Sequence, residues 1–315
     1  MILINIHHNL IFYIIKNLKN KIIFILMNEF YINNNNLKLN IITHEMNEPQ
    51  SILIHLHGLG SHFQYIYSYP NNLENRINIL SKYDILSYAL EFQGHGKSEG
   101  DRCKINKYTQ YIDNLHTLVK YIRNIYHNLP IFILGESMGG AVAILYTLKY
   151  PDTIKGIILL SPMCGITQLL NRYWITIKFL LYLSYLIPSR KLIYFNNYNN
   201  MHSIEYMKSC NNCIYLNKEP IRLDTGRECY YMVDSIKNNS INFTCNVLAY
   251  HSLTDSITSP ESTQDFINTC SSTNKELILL KKGDHSILLP INGDNPAETQ
   301  PISILKNIGM WINNI

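Results

Sequence analysis

One short stretch constrains this chain more than any other. Ile131-Phe-Ile-Leu-Gly-Glu-Ser-Met-Gly-Gly-Ala-Val-Ala-Ile-Leu145 joins an apolar run suited to a buried strand directly to an apolar run of helix formers. Between them lies Gly135-Glu136-Ser137-Met138-Gly139, a G-x-S-x-G pattern in the strand-turn-helix context that an elbow reading requires. So tight a turn leaves no room for side chains at its flanks, hence Gly135 and Gly139. Ser137 is expected in a strained backbone conformation, its hydroxyl above the sheet and beside the positive end of the following helix. Gly140, Ala141 and Ala143 let that helix approach neighbouring strands closely.

Other strand-helix alternations surround this one. Apolar strands are expected at 51–56, 83–90, 154–160, 245–250 and 276–280, with a hairpin over 29–46 that turns at Asn33-Asn34-Asn35-Asn36. Helical spacing of Tyr111, Leu115, Leu118, Val119 and Ile122 predicts a helix over 108–126, and a last helix is expected over 302–312. The fold class is therefore α/β, with a mostly parallel central sheet flanked by helices. From about Cys164 to Asn239 the alternation breaks. Leu169 to Ile187 is apolar nearly all round and ends at Pro188, so it must be buried or face something apolar. Placed between sheet strands, it reads as a lid or cap and not as a membrane span.

With 315 residues, 46% of them hydrophobic, the chain can bury a large core, as one domain with an insertion or as two smaller domains. A formal charge of +4 comes from scattered lysines and does not imply nucleic acid. Seven cysteines form no disulfide framework, and Cys210-Asn-Asn-Cys213 has zinc-ligand spacing without a second pair. Reduced thiols in a cytoplasmic protein fit best. Residues 1–27 are apolar runs interrupted by Lys16, Lys19 and Lys21. They are too short for the ~20 residues of a spanning helix and lack a signal-peptide cleavage site. This leader reads either as a membrane-surface helix or as a segment dispensable to the domain.

A serine hydroxyl needs a base to become a nucleophile, and the base needs an acid to orient it. Asp255 follows the strand at 245–250, and His285 follows the strand at 276–280. Both therefore belong to the C-terminal edge of the sheet, in the order Ser, Asp, His. Asp234, Asp265 and Asp284 are rival acids, and His251 is a rival base. Oxyanion donors are expected at the N–H of Met138 and, from the loop His57-Gly58-Leu59-Gly60, at that of Leu59. His55, His57 and His62 come with no carboxylate at ligand spacing, so neither metal nor cofactor is expected.

Taken together, H-G-L-G-S-H, G-H-G-K-S-E-G, G-E-S-M-G-G-A, S-P-M-C and the late Asp and His resemble the monoacylglycerol lipase and lysophospholipase branch of the α/β-hydrolases. The likeness runs from about Met27 to the C-terminus. It implies Ser137 as nucleophile, Asp255 as acid, His285 as base, Leu59 and Met138 as oxyanion donors, a core of 28–163 plus 240–315, and a cap of 164–239. It also implies a single-chain lipid ester as substrate, and the apolar cap helix and the leader add the expectation of peripheral membrane association. A short-chain carboxylesterase and a non-catalytic ligand-binding protein of the same fold are the alternatives. Two positions depart from the family pattern, Glu91 where Asp is usual and Ser252 where Gly is usual.

Overall fold

The computed structural model describes residues 27–63, 70–165, 167–193, 208, 212–289 and 299–315. The leader as far as residue 26, and Cys210 of the C-x-x-C pair, lie outside the described residues.

An eight-stranded sheet forms the centre. Its strands are β1 (Met27–Asn34), β2 (Leu37–His44), β3 (Ser51–Leu56), β4 (Ile85–Leu90), β5 (Ile131–Glu136), β6 (Gly156–Leu160), β9 (Asn246–Ser252) and β10 (Lys275–Leu280), in the spatial order β1-β2-β4-β3-β5-β6-β9-β10. The β1–β2 hairpin and the β2–β4 pairing are antiparallel, and every other pairing is parallel. Asn35 and Asn36 turn the hairpin with φ of 50° and 64°. Asparagine tolerates that left-handed region, and two such residues in succession match the twist of the flanking strands.

Helices cover both faces of the sheet. These are α1 (Pro70–Ser81), α2 (Thr109–Ile125), α3 (Met138–Lys149), α5 (Leu223–Asn239), α6 (Pro260–Thr269) and α7 (Gln300–Asn314). Strand side chains alternate between faces with a period of two. Ile133, Ile157 and Val247 accordingly pack with Leu115, Leu118 and Ile122 of α2 and with Met232 and Ile236 of α5. Phe132, Ile158 and Leu248 pack on the other face with Leu80 of α1 and Ile304, Leu305 and Ile308 of α7.

Between β6 and β9 come α4 (Thr167–Leu186) and a small antiparallel pair, β7 (Lys191–Ile193) with β8 (Ile221–Arg222). The apolar run expected as one helix is broken at Tyr173, whose φ of −129° and ψ of 28° are not helical. Beyond the break its large apolar side chains are mostly exposed. Trp174 is 53% exposed, Ile175 66%, Phe179 58% and Tyr182 62%, an apolar face at the surface. Among the described residues, no helix is long and apolar enough to cross a membrane.

Candidate active site

Parallel strands bring their C-terminal ends to one edge, so the loops after β3, β5, β6, β9 and β10 meet there. Ser137 stands between β5 and α3 with φ 53° and ψ −116°. A non-glycine residue at positive φ costs on the order of 1–3 kcal/mol and persists only where its surroundings over-determine it. Here the Ser137 carbonyl accepts the N–H groups of Gly140 (3.0 Å) and Met163 (2.9 Å), while its own N–H donates to the Leu160 carbonyl at 3.0 Å. Close approach explains the flanking glycine: a Cβ on Gly139 would lie 2.5 Å from the Leu56 carbonyl oxygen and 2.8 Å from that of His57. Directly before the serine, Glu136 forms an ion pair with the buried Arg76 of α1.

The loop after β3 is held by two histidines that accept from backbone. Nε2 of His57 takes the Phe92 N–H at 3.1 Å, and its Nδ1–H then donates to the Gly58 carbonyl at 2.8 Å. Nε2 of His95 takes the Gly60 N–H at 3.1 Å. Burial pushes the pKa of His57 down to about 4 and that of His95 down to about 3, so both rings are neutral and can accept. Gly58 lies against the serine, for a Cβ there would be 3.2 Å from Ser137 Cβ. Between Gly58 and Gly60, the N–H of Leu59 has no acceptor among the described residues. Met138 is the first residue of α3, where an N–H has no intrahelical acceptor.

The structure brings Asp255 and His285 together. Asp255 Oδ2 accepts from Nδ1 of His285 at 2.8 Å, and the Asp255 side chain is fully buried. Oδ1 accepts the N–H groups of Ile257 (2.8 Å) and Thr258 (3.1 Å), and Oδ2 also accepts the Thr258 hydroxyl at 2.9 Å. Burial opposes ionisation of this carboxyl. Hydrogen bonds from His251 and His285, with the His285 charge and the Ile257 amide, outweigh it and hold Asp255 well below the usual carboxylate range. His285 is 17% exposed.

The rivals fall elsewhere. His251 is fully buried on β9, with Nε2 3.1 Å from Asp255 Oδ2 and Nδ1 2.8 Å from the Thr263 hydroxyl. Both of its nitrogens are engaged, so it stands as a second imidazole beside the Asp255 carboxylate. Asp234 accepts from Asn238 on the exposed side of α5, Asp265 is exposed on α6, and Asp284 accepts from Ser256 at 3.4 Å. Sequence reasoning missed Thr258, Thr263 and the supporting role of His251. The spacing of His251 and Asp255, four residues across a strand end, carries no periodic signal that would have shown it.

Both departures from the family pattern have local explanations. The Ser252 hydroxyl donates to the Gly283 carbonyl at 2.9 Å, tying the loop after β9 to the one carrying His285. Its φ is not positive, so glycine is not required there. Glu91 is buried and accepts from Asn40 Nδ2 (3.0 Å), the Phe63 N–H (3.1 Å) and the Lys97 N–H (2.7 Å). Among the described residues, no group of three metal-ligating side chains converges.

Residues 47–291, a span holding Leu59, Ser137, Met138, Asp255 and His285, match the hydrolase family described as serine aminopeptidase, S33. The chain belongs to the S33 hydrolase family. Its fold is the α/β-hydrolase fold. A soluble variant of monoglyceride lipase from Saccharomyces cerevisiae, solved with a substrate analog, superposes with a TM-score of 0.75 at 17% identity, covering 91% of this chain and 94% of that one. In sequence, the chain is 31% identical over 115 residues to the monoglyceride lipase of Rattus norvegicus, an alignment that spans 36% of each protein. It is 27% identical over 235 residues to the caffeoylshikimate esterase of Arabidopsis thaliana, covering 72% of this chain and 68% of that relative.

Proposed function

We propose that this S33-family chain is a serine hydrolase that cleaves carboxylic esters of single-chain lipids, a monoacylglycerol or a lysophospholipid, through an acyl-enzyme. The observation that carries the reading is the buried Asp255–His285 contact of 2.8 Å at the sheet edge that also bears the strained Ser137. Because His285 Nδ1–H donates to Asp255, the lone pair of Nε2 is free to accept the Ser137 proton. Ser137 Oγ then attacks the ester carbonyl, and the N–H groups of Met138 and Leu59 receive the developing oxyanion. His285 returns the proton to the leaving alcohol. Water, deprotonated by the same imidazole, attacks the acyl-serine and releases the fatty acid.

Support for a lipid substrate comes from the exposed apolar face of α4 and from the monoglyceride lipases among the relatives. Trp174, Ile175, Phe179 and Tyr182 suit the boundary between headgroups and acyl chains, so docking this face on a membrane would give access to substrate there. Residues 164–239 act in this reading as the cap. The longer alignment, to caffeoylshikimate esterase, favours a second reading in which the ester is small and soluble.

Fluorophosphonate labelling tests the nucleophile: wild type labels and Ser137→Ala does not, whereas equal labelling removes Ser137 from the reaction. A panel of C2 to C16 monoesters tests the substrate class. Rates that rise with chain length support the lipid reading, and rates that fall with it favour the small-ester reading.

A further inference from the structure

A second acid–imidazole–nucleophile series lies outside the Ser137 edge. Cys213 Sγ is 3.0 Å from Nε2 of His62, and Nδ1 of the same ring is 3.7 Å from Oε1 of Glu91. His62 and Glu91 are buried, while Cys213 is half-buried. Burial pushes Glu91 upward, but contacts from His62, the Lys97 amide and Asn40 outweigh it and bring its pKa down to about 2. The ring of His62 thus has a carboxylate on one side and a thiol on the other. An imidazole so placed can receive the thiol proton as the sulfur attacks, the same logic by which a histidine serves a neighbouring serine.

The other described cysteines lack this arrangement. Burial pushes Cys103, Cys164 and Cys229 up to about 12 and Cys245 up to about 11, which keeps them as thiols. Cys270 is buried and directs its thiol to the Ile267 carbonyl at 3.4 Å.

Location gives the thiol a consequence. Four residues after Cys213, the Asn217 N–H donates to the Gly60 carbonyl at 2.9 Å, and a Cβ on Gly60 would lie 3.2 Å from Asn217 Cβ. The segment 213–217 therefore rests on the loop that contains Leu59. We propose that Cys213 is a modification site, a reactive thiol that exchanges with small disulfides of the glutathione class, and that the adduct parts segment 213–217 from the Gly60 loop. In the exchange, the Cys213 sulfur attacks one sulfur of the disulfide and the S–S bond breaks. A mixed disulfide forms, and the departing thiolate takes the proton that His62 holds. The reactivity stands independently of the function proposed above; only its effect on ester hydrolysis rests on that reading.

Two measurements on the full chain test it. Timed exposure to glutathione disulfide, followed by peptide mass spectrometry, should place the adduct on Cys213 at least about ten-fold faster than on Cys229 or Cys245. His62→Asn should slow the Cys213 adduct by a similar factor while leaving the unfolding temperature within a few degrees. Equal rates at the three cysteines, or a His62→Asn variant that folds and reacts as fast as wild type, overturn the site. If His62→Asn does not fold, the comparison between cysteines in wild type decides alone. For the consequence, turnover of a soluble ester should fall on treatment and return with dithiothreitol in wild type, while Cys213→Ser keeps its turnover throughout. Adduct formation without change in turnover refutes the coupling and spares the site.

Discussion

Replacing Asp255 by asparagine tests the acid through the geometry of its two oxygens. Oδ1 accepts two backbone N–H groups, from Ile257 and Thr258, which do not move without the loop. The single oxygen of the substituted carboxamide must take that place, so its NH2 falls where Oδ2 was. There it faces Nδ1 of His285, Nε2 of His251 and the Thr258 hydroxyl, all of which Oδ2 contacts in the native protein. A donor facing Nδ1 forces His285 into the opposite tautomer, with its proton on Nε2 and no lone pair for Ser137. Loss of the correct tautomer costs about 10⁴ in kcat in a serine–histidine–aspartate site. At about 1.4 kcal/mol per decade, that is about 5 kcal/mol of transition-state stabilisation. Stability should fall by about 1–3 kcal/mol as the buried donors lose a charged acceptor. The assay is turnover of a p-nitrophenyl ester alongside urea unfolding of the same preparation. A kcat within about ten-fold of wild type in a folded Asp255→Asn protein would show that the contact at Asp255 does not set the tautomer.

Three other predictions concern the elbow, the buried histidines and α4. Gly139→Ala puts a Cβ against the carbonyls of Leu56 and His57, both backbone, and should destabilise by about 3 kcal/mol or more, read from urea unfolding. His44, His55, His57 and His95 are buried with pKa values pushed down by burial to about 4, 3, 4 and 3 from 6.5. The unfolded chain binds these protons first, so stability is complete above pH 6.5 and is lost as pH falls toward 4. By pH 5 each histidine costs about 2 kcal/mol, and a midpoint in urea unchanged between pH 7 and pH 5 would exclude this. Phe179→Ser should weaken sedimentation with phospholipid vesicles by several-fold and slow hydrolysis of vesicle-borne esters. Turnover of a short soluble ester should not change, and an equal fall on both substrates would disprove docking through α4.

The parts of the fold legible in the sequence were those specified by local pattern. Apolar runs bounded by Gly and Pro marked the strands within two or three residues, because a strand buried on both faces needs no partner information to be recognised. Helix α1 was not legible, since Pro-Asn-Asn-Leu-Glu-Asn-Arg-Ile-Asn-Ile-Leu-Ser carries only a weak apolar stripe and owes its place to packing with α7 and the sheet. The break at Tyr173 was equally hidden within an unbroken apolar composition. At the candidate site, chain order and strand ends pointed to Asp255 and His285, and the structure brings their side chains into contact. By spacing alone His251 is an equal candidate for the base, although it is buried, bonded to Thr263 and set beside the Asp255 carboxylate. That distinction depends on which side of β9 the ring lies and on where α6 packs, neither of which a local spacing encodes. The pairing of Arg76 with Glu136 spans sixty positions and is likewise a product of the fold.

The backbone of the elbow is also tied to the segment that carries Asp255. The Ser137 carbonyl takes the Met163 N–H, the Ser161 N–H donates to the Tyr250 carbonyl, and the Thr258 hydroxyl oxygen lies 3.1 Å from the Ser161 carbonyl and 2.9 Å from Asp255 Oδ2. Ser137 and Asp255 are thereby tied to each other through β5, β6 and β9, neighbouring strands about 4.8 Å apart, and not through the conformation of any single loop. Exchanging the tips of these loops should leave that spacing intact. A one-residue slip of β6 against its neighbours would carry Ser161 to the opposite face and cut the chain at its middle link. Register, more than loop shape, is the quantity that any redesign of this edge has to preserve.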